Sequence, residues 1–158
     1  MTTNYLLIIN TPLGKMVAKA DENAVFALDF EERFSENLVE KPNEVLLQLE
    51  KELDEYFAGK RKDFSVPVRL QGTDFQVKAW QILQQIPFGK TISYAEQAVL
   101  AGNKKAFRAV ANANSKNKIV LLVPCHRVIG SNGALTGFAS GLWRKERLIE
   151  LESAVARK

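Results

Sequence analysis

The hydrophobic period of this chain changes once, near Asn43, and that change constrains its fold more than any other feature. Before it, three short apolar segments, Tyr5 to Asn10, Lys15 to Ala20 and Ala24 to Phe30, are separated by Thr11-Pro12-Leu13-Gly14 and Asp21-Glu22-Asn23. Two tight turns between short apolar runs predict a β-meander. After it, Leu46, Leu49, Leu53 and Phe57 fall on one helical stripe, with Gly59 just past its end. That helix is expected to pack on the meander. The stretch Lys60 to Arg69, polar at first and then running through Val66-Pro67-Val68, reads as a connection, so the chain divides into residues 1–68 and 69–158.

The second part is mainly helical. Thr73-Asp74-Phe75-Gln76 and Ser93-Tyr94-Ala95-Glu96 both fit the capping box, in which a hydroxyl and a residue three positions later satisfy each other's free backbone donors. The first opens a helix through Phe75, Ala79, Trp80 and Leu83, stopped by Pro87 and Gly89. The second opens a short helix to about Ala101. Gly102 and Asn103 then turn the chain into a third, with Phe107, Val110 and Ala111 inward and Lys104 and Arg108 outward. Two helices joined by a short glycine-containing turn, the second basic on its outer side, have the pattern of a helix-turn-helix. Helix pairs of this kind also occur without any DNA contact. Ile119 to Val123 reads as a buried strand leading into Pro124-Cys125-His126-Arg127-Val128. A loop punctuated by Gly130, Gly133, Gly137 and Gly141 follows, then a closing helix through Leu142, Leu148, Ile149 and Ala154.

With 158 residues, 46% of them hydrophobic, the chain can bury one good core or two small ones. One cysteine and one histidine supply neither an internal disulfide nor a structural zinc site, so no metal is expected. No basic region precedes the apolar run at the start, and no run approaches the ~18 residues that span a bilayer. A cytoplasmic protein with no membrane association is the expectation. The net charge of +4 hides an asymmetry: residues 1–68 carry −5 and residues 69–158 carry +9. Between Glu96 and Glu146 there is no acidic residue, yet Lys104, Lys105, Arg108, Lys116, Lys118, Arg127, Arg144 and Lys145 all lie there. This points to a polyanionic partner, against the alternative of a merely solvated basic face.

The only cysteine and the only histidine are adjacent. A lone intracellular cysteine is commonly an inert buried residue. A nucleophilic one needs thiolate, which nearby positive charge favours, and here a histidine and an arginine follow at once. Neighbouring side chains do not face each other in regular structure. Proton transfer from Cys125 to His126 therefore needs a turn, which Pro124 favours, or a bridging water.

Glu55-Tyr56-Phe57-Ala58-Gly59, Gly72-Thr73-Asp74-Phe75-Gln76, Trp80, Ile86-Pro87-Phe88-Gly89, Ser93-Tyr94, Arg108-Ala109-Val110, Asn117, Pro124-Cys125-His126-Arg127-Val128 and Leu135-Thr136-Gly137-Phe138 resemble, in order, the O6-alkylguanine-DNA alkyltransferase family. The likeness is close over about the last two thirds of the chain. It implies an α+β fold, with a small mixed ribonuclease H-like domain followed by a helical domain bearing the helix-turn-helix. It further implies a monomer without cofactor that acts on double-stranded DNA, moving an alkyl group from O6-alkylguanine, and from O4-alkylthymine, onto Cys125. In that scheme His126 acts through a water to hold the thiolate, Glu152 orients the histidine and Asn117 orders the turn. Tyr94 hydrogen-bonds the flipped base and turns its phosphate outward, and Arg108 fills the vacated stack. The carbonyls of Cys125 and Val128 and the N–H of Ala139 read the base, while Lys104, Lys105 and Arg127 join Arg108 on the DNA surface.

Two departures matter. Phe138 stands where the family usually has tyrosine, which leaves an apolar wall without a hydroxyl. The cysteines and histidines that bind zinc in the N-terminal part of some relatives do not exist in this chain. Two other functions compete. A non-catalytic lesion sensor would lack the cysteine, and a cysteine hydrolase would turn over where a self-alkylating protein reacts once.

Overall fold

The structure, a computed structural model, describes residues 4–157. The first three positions of the amino-terminal run read for a leader thus lie outside the described residues. The described chain forms two compact units. One contains the residues up to Arg69 together with Lys118–Val120, and the other contains Leu70–Asn117 together with the residues from Leu121 onward.

In the first unit, β1 (Tyr5–Thr11), β2 (Gly14–Ala20) and β3 (Val25–Phe30) form an antiparallel sheet in chain order. This is the expected meander, with Thr11 opposite Gly14 and Tyr5 opposite Ala20 across the first hairpin. Met16, Val17, Ala18, Val25, Leu28 and Phe30 are buried. The helix α1 (Glu44–Phe57) packs on β1 and β2, capped by Asn43, whose side chain accepts from the Leu46 N–H at 3.1 Å. Its buried stripe is Leu46, Leu49, Leu53 and Tyr56; Tyr56 takes the inward place expected of Phe57. Glu52 is also buried on this helix. Its carboxylate accepts from the Ser65 N–H at 2.8 Å and the Val66 N–H at 3.2 Å, which pins the connection to the helix.

The segment Ile119 to Val123 departs from expectation. Ile119 makes one parallel bridge to Leu28 of the first unit, and two residues later Leu121 adopts φ 75°. A left-handed leucine ends any strand. The apolar run signalled burial correctly, since all five residues are buried, but burial does not dictate extended backbone.

The second unit holds α2 (Asp74–Gln84), β4 (Ile92–Ser93), α3 (Tyr94–Leu100), α4 (Phe107–Ser115), β5 (Val128–Ile129) and α5 (Leu142–Ala156). Both expected capping boxes are present: Thr73 Oγ1 accepts from the Gln76 N–H at 3.1 Å and Ser93 Oγ from the Glu96 N–H at 3.0 Å, each with the reciprocal bond. The Trp80 indole N–H donates to the Ala113 carbonyl at 2.9 Å, joining α2 to α4. Between α3 and α4 the buried side chains of Gln97 and Asn114 exchange two amide hydrogen bonds, at 2.9 and 2.7 Å. The helix-turn-helix is therefore held by specific polar contacts as well as by Ala98 and Val110. Phe107, expected inward, is exposed, because α2 and α3 pack on the face of α4 that carries Val110, Ala113 and Asn114.

Candidate active site

Cys125 is presented by two consecutive tight turns. Pro124, at φ −81° and ψ 69°, is the centre of an inverse γ-turn closed by the Cys125 N–H donating to the Val123 carbonyl at 2.8 Å. The Arg127 N–H then returns to the Pro124 carbonyl at 3.0 Å, winding Cys125–Arg127 into one 3-10 turn. Asn117 Nδ2 donates to the same Val123 carbonyl at 2.7 Å. Beyond the turn, β5 pairs in parallel with β4, Ile92 opposite Val128. That pairing sets Tyr94, the first residue of α3, beside the cysteine segment.

Behind the cysteine, His126 and Glu152 meet in the interior, with Nε2 2.8 Å from Oε2. Arg127 grips the same carboxylate with two bonds, Nε to Oε1 at 2.8 Å and Nη2 to Oε2 at 3.0 Å, and Nη1 donates to the Ile86 carbonyl at 2.7 Å. Burial by itself raises the Glu152 carboxyl, but its bonds to His126 and Arg127 and their charge outweigh that and hold it far below the usual carboxylate range. For His126 burial dominates and lowers its affinity for a proton, partly offset by Glu152. An ionised carboxylate can only accept, so Nε2 carries the hydrogen of a neutral imidazole. The other nitrogen, Nδ1, is then a bare lone pair. It is buried and, among the described residues, has no hydrogen-bond partner. Buried polar atoms of this kind are normally satisfied, in most cases by an ordered water if not by protein.

The second cluster faces the sulfur from α3, α5 and the loop between β5 and α5. The Tyr94 hydroxyl donates to the Thr136 carbonyl at 3.0 Å, and Lys145 Nζ donates to the same oxygen at 2.7 Å. The ammonium also lies 5.6 Å from the centre of the Tyr94 ring. Gly137, at φ 64°, follows in the left-handed region, where an added Cβ would stand 3.2 Å from the Tyr94 hydroxyl. Burial, reinforced by the charge of Cys125, pushes the Tyr94 hydroxyl up despite its bond to Thr136, so it stays protonated and able to donate. Lys145 is fully buried and, among the described residues, has no carboxylate partner; burial lowers its pKa to about 8, with the Cys125 charge working the other way.

Of the residues singled out in the sequence, Cys125, His126, Glu152 and Asn117 come together. Tyr94, Arg108, Phe138 and Ala139 line an open cavity of about 520 Å³ between α4 and residues 136–139, and Val128 sits on β5 opposite Ile92 of β4, the strand that leads into Tyr94. Lys104 and Lys105 are exposed, on the turn ahead of α4 rather than on the helix itself. Arg127 is a correction: it is buried and committed to Glu152, so it cannot join a DNA surface. Arg144 and Lys145 leave the basic face for the same reason, Arg144 donating to the Ser140 carbonyl at 3.0 Å. Lys145 is the residue sequence reasoning missed as part of the site. Its signal was available only in part, as a lysine on the inward stripe with Leu148 and Glu152.

Comparison with known proteins matches both units. Residues 4–70 fit the family model described as 6-O-methylguanine DNA methyltransferase, ribonuclease-like domain, and residues 74–154 fit the model described as the DNA binding domain of the same proteins. The methylated-DNA–protein-cysteine methyltransferase of Methanosarcina acetivorans is 41% identical over 156 residues, 95% of this chain and 99% of that protein. The constitutive enzyme of that name from Bacillus subtilis is 43% identical over 144 residues, 86% of this chain and 87% of the relative. Among solved structures, the Mycobacterium tuberculosis O6-methylguanine methyltransferase superposes with a TM-score of 0.89 at 37% identity, covering 96% of this chain and 94% of that one. The same organism's protein in complex with DNA gives 0.86 at 38% identity, covering 94% and 92%. Two matched domains and this degree of identity along nearly the whole length mean that the chain belongs to the 6-O-methylguanine DNA methyltransferase family.

Proposed function

We propose that this chain repairs DNA by transferring the alkyl group of O6-alkylguanine, and of O4-alkylthymine, once and irreversibly to the sulfur of Cys125. The observation that carries the reading is the bare, buried Nδ1 of His126, whose other nitrogen is committed to Glu152. A base held in one tautomer next to the only thiol is what single-use nucleophilic chemistry requires. The Cys125 proton passes to Nδ1 through one water. The thiolate then attacks the alkyl carbon, the S–C bond forms as the C–O6 bond breaks, and the electron pair leaves with the guanine, which takes up a proton to become the normal base. A thioether has no good leaving group and the chain has no second thiol, so the protein is spent.

The rest of the site serves recognition. The Tyr94 hydroxyl donates to the flipped base, and Lys145 keeps the Thr136 carbonyl satisfied when it does. The carbonyls of Cys125 and Val128 and the N–H of Ala139 read the base edge against the apolar wall of Phe138. Arg108, exposed on α4, fills the stack, and Lys104 and Lys105 hold phosphates. A monomer in the cytoplasm fits this reading, since a reactive free thiol needs reducing surroundings; among the described residues no helix is long and apolar enough to cross a membrane.

The test is transfer of label from DNA carrying O6-[methyl-labelled] methylguanine to protein. One label per chain is expected, located by mass spectrometry on Cys125 and absent in Cys125→Ala. Multiple turnover, as a hydrolase gives, overturns the proposal.

A further inference from the structure

Phe107 is the first residue of α4 and the most conspicuous exception to its amphipathic pattern: the residue is 46% exposed. The exposure does not come from a loose helix. One turn further along, Val110 is fully buried, Ala113 is tied through its carbonyl to Trp80, and Asn114 is locked to Gln97. The ring is held out by a rigid support. It lies 5.7 Å from the Arg108 guanidinium, and both side chains line the cavity that Tyr94 and Phe138 also line.

We propose that Phe107 is a second DNA-inserting residue, stacking its ring on the base that flanks the gap while Arg108 occupies the place of the extruded nucleotide. The proposal rests on the DNA-repair reading above and adds a residue to it. Removing a nucleotide from a duplex exposes the faces of its neighbours, and an aromatic ring covers such a face without regard to sequence. Apolar side chains placed beside cationic ones are the usual means of partly unstacking a base step. Lys104, Lys105, Arg108 and Lys116 are exposed on α4 and the turns at its two ends, within a span that has no acidic residue. The occupant is therefore polyanionic. A second copy of this chain would meet the patch with the same positive charge, which opposes docking.

Two measurements test this with Phe107→Ala and Phe107→Trp. The first uses a duplex with an abasic site flanked by 2-aminopurine, which needs no alkyl transfer. The intact protein is expected to change the 2-aminopurine emission on saturation, Phe107→Trp to keep that change, and Phe107→Ala to lose it while still saturating through its cations. The second compares single-turnover rates: Phe107→Ala is expected to react about tenfold more slowly with O6-methylguanine in duplex DNA and within twofold of the parent with a free O6-alkylguanine base. An unaltered emission change in Phe107→Ala, or equal loss on duplex and free base, overturns the proposal. Failure of the parent protein to accept any alkyl group would overturn the repair reading, with the first measurement still deciding whether Phe107 stacks on DNA.

Discussion

At the scale of single residues, the structure changes what substitutions of Glu152 report. Its carboxylate is shared between His126 and a bidentate Arg127, all three side chains buried. Glu152→Gln therefore leaves the Arg127 charge buried without its partner, at a cost of about 3 kcal/mol, to be read by urea unfolding. The depressed carboxyl adds a pH dependence. The stabilisation is present above the unfolded value of about 4.3 and is lost as pH falls below it toward the folded value, so acid unfolding should be less steep in the mutant. The cleaner probe of proton transfer is His126→Gln, which keeps the Arg127–Glu152 pair. It is expected to fold, to bind DNA and to lose at least about 100-fold in alkyl-transfer rate at neutral pH. Lys145 has the same sign of linkage as Glu152, because its folded value is also depressed, but in a window at higher pH. Folded, it gives up its proton at about 8, whereas unfolded it keeps it to about 10.4, so between these values the unfolded state binds more protons and stability rises with pH. Below about pH 8 the burial penalty is present in full. The stability of the parent relative to Lys145→Met should accordingly improve between pH 8 and 10, measured by denaturant titration at each pH.

At the scale of elements, the Gln97–Asn114 pair decides how α3 meets α4. Both amides are buried, and each is the other's hydrogen-bond partner. Gln97→Leu strands the Asn114 amide and should cost about 2 kcal/mol, the ordinary penalty for an unsatisfied buried polar group. The double variant with Asn114→Met replaces both partners by apolar groups and should recover most of that loss, which thermal or urea unfolding of the four species in the cycle will show. The capping boxes that begin α2 and α3 were legible because Thr73 with Gln76 and Ser93 with Glu96 act within four residues. The inward assignment of Phe107 was not. Which side of a short helix is covered depends on the elements that pack against it, and several apolar positions on one helix cannot reveal which of them face a neighbour.

At the scale of the molecule, the separation of charge along the chain survives folding, but in reduced form. Of the eight cations between Glu96 and Glu146, Arg127, Arg144 and Lys145 are buried, and Lys118 belongs to the first unit. Four exposed cations of the second unit remain around α4: Lys104, Lys105, Arg108 and Lys116. If each neutralises one phosphate, the affinity for undamaged duplex DNA falls with salt along a log-log slope of about −4, where eight contacts would give about −7. A titration over a few salt concentrations distinguishes them, and a slope near zero would remove the basic face from DNA binding.

Local rules determined much of this protein in advance: the meander from its turns, the helix starts from their caps, the candidate site from the adjacency of the only cysteine and histidine. The resemblance carried in the motif blocks supplied Glu152, Asn117 and Tyr94, which no spacing could have joined to Cys125. Tertiary structure alone decided three things. It turned Ile119 to Val123 from a strand into a bridge and a left-handed turn at Leu121, it drew Arg127 and Lys145 from the surface into the site, and it exposed Phe107. In each case the residue's fate depends on partners far away in the chain. Arg127 goes inside because the Glu152 carboxylate is waiting there, and Phe107 stays outside because the core beneath it is already filled.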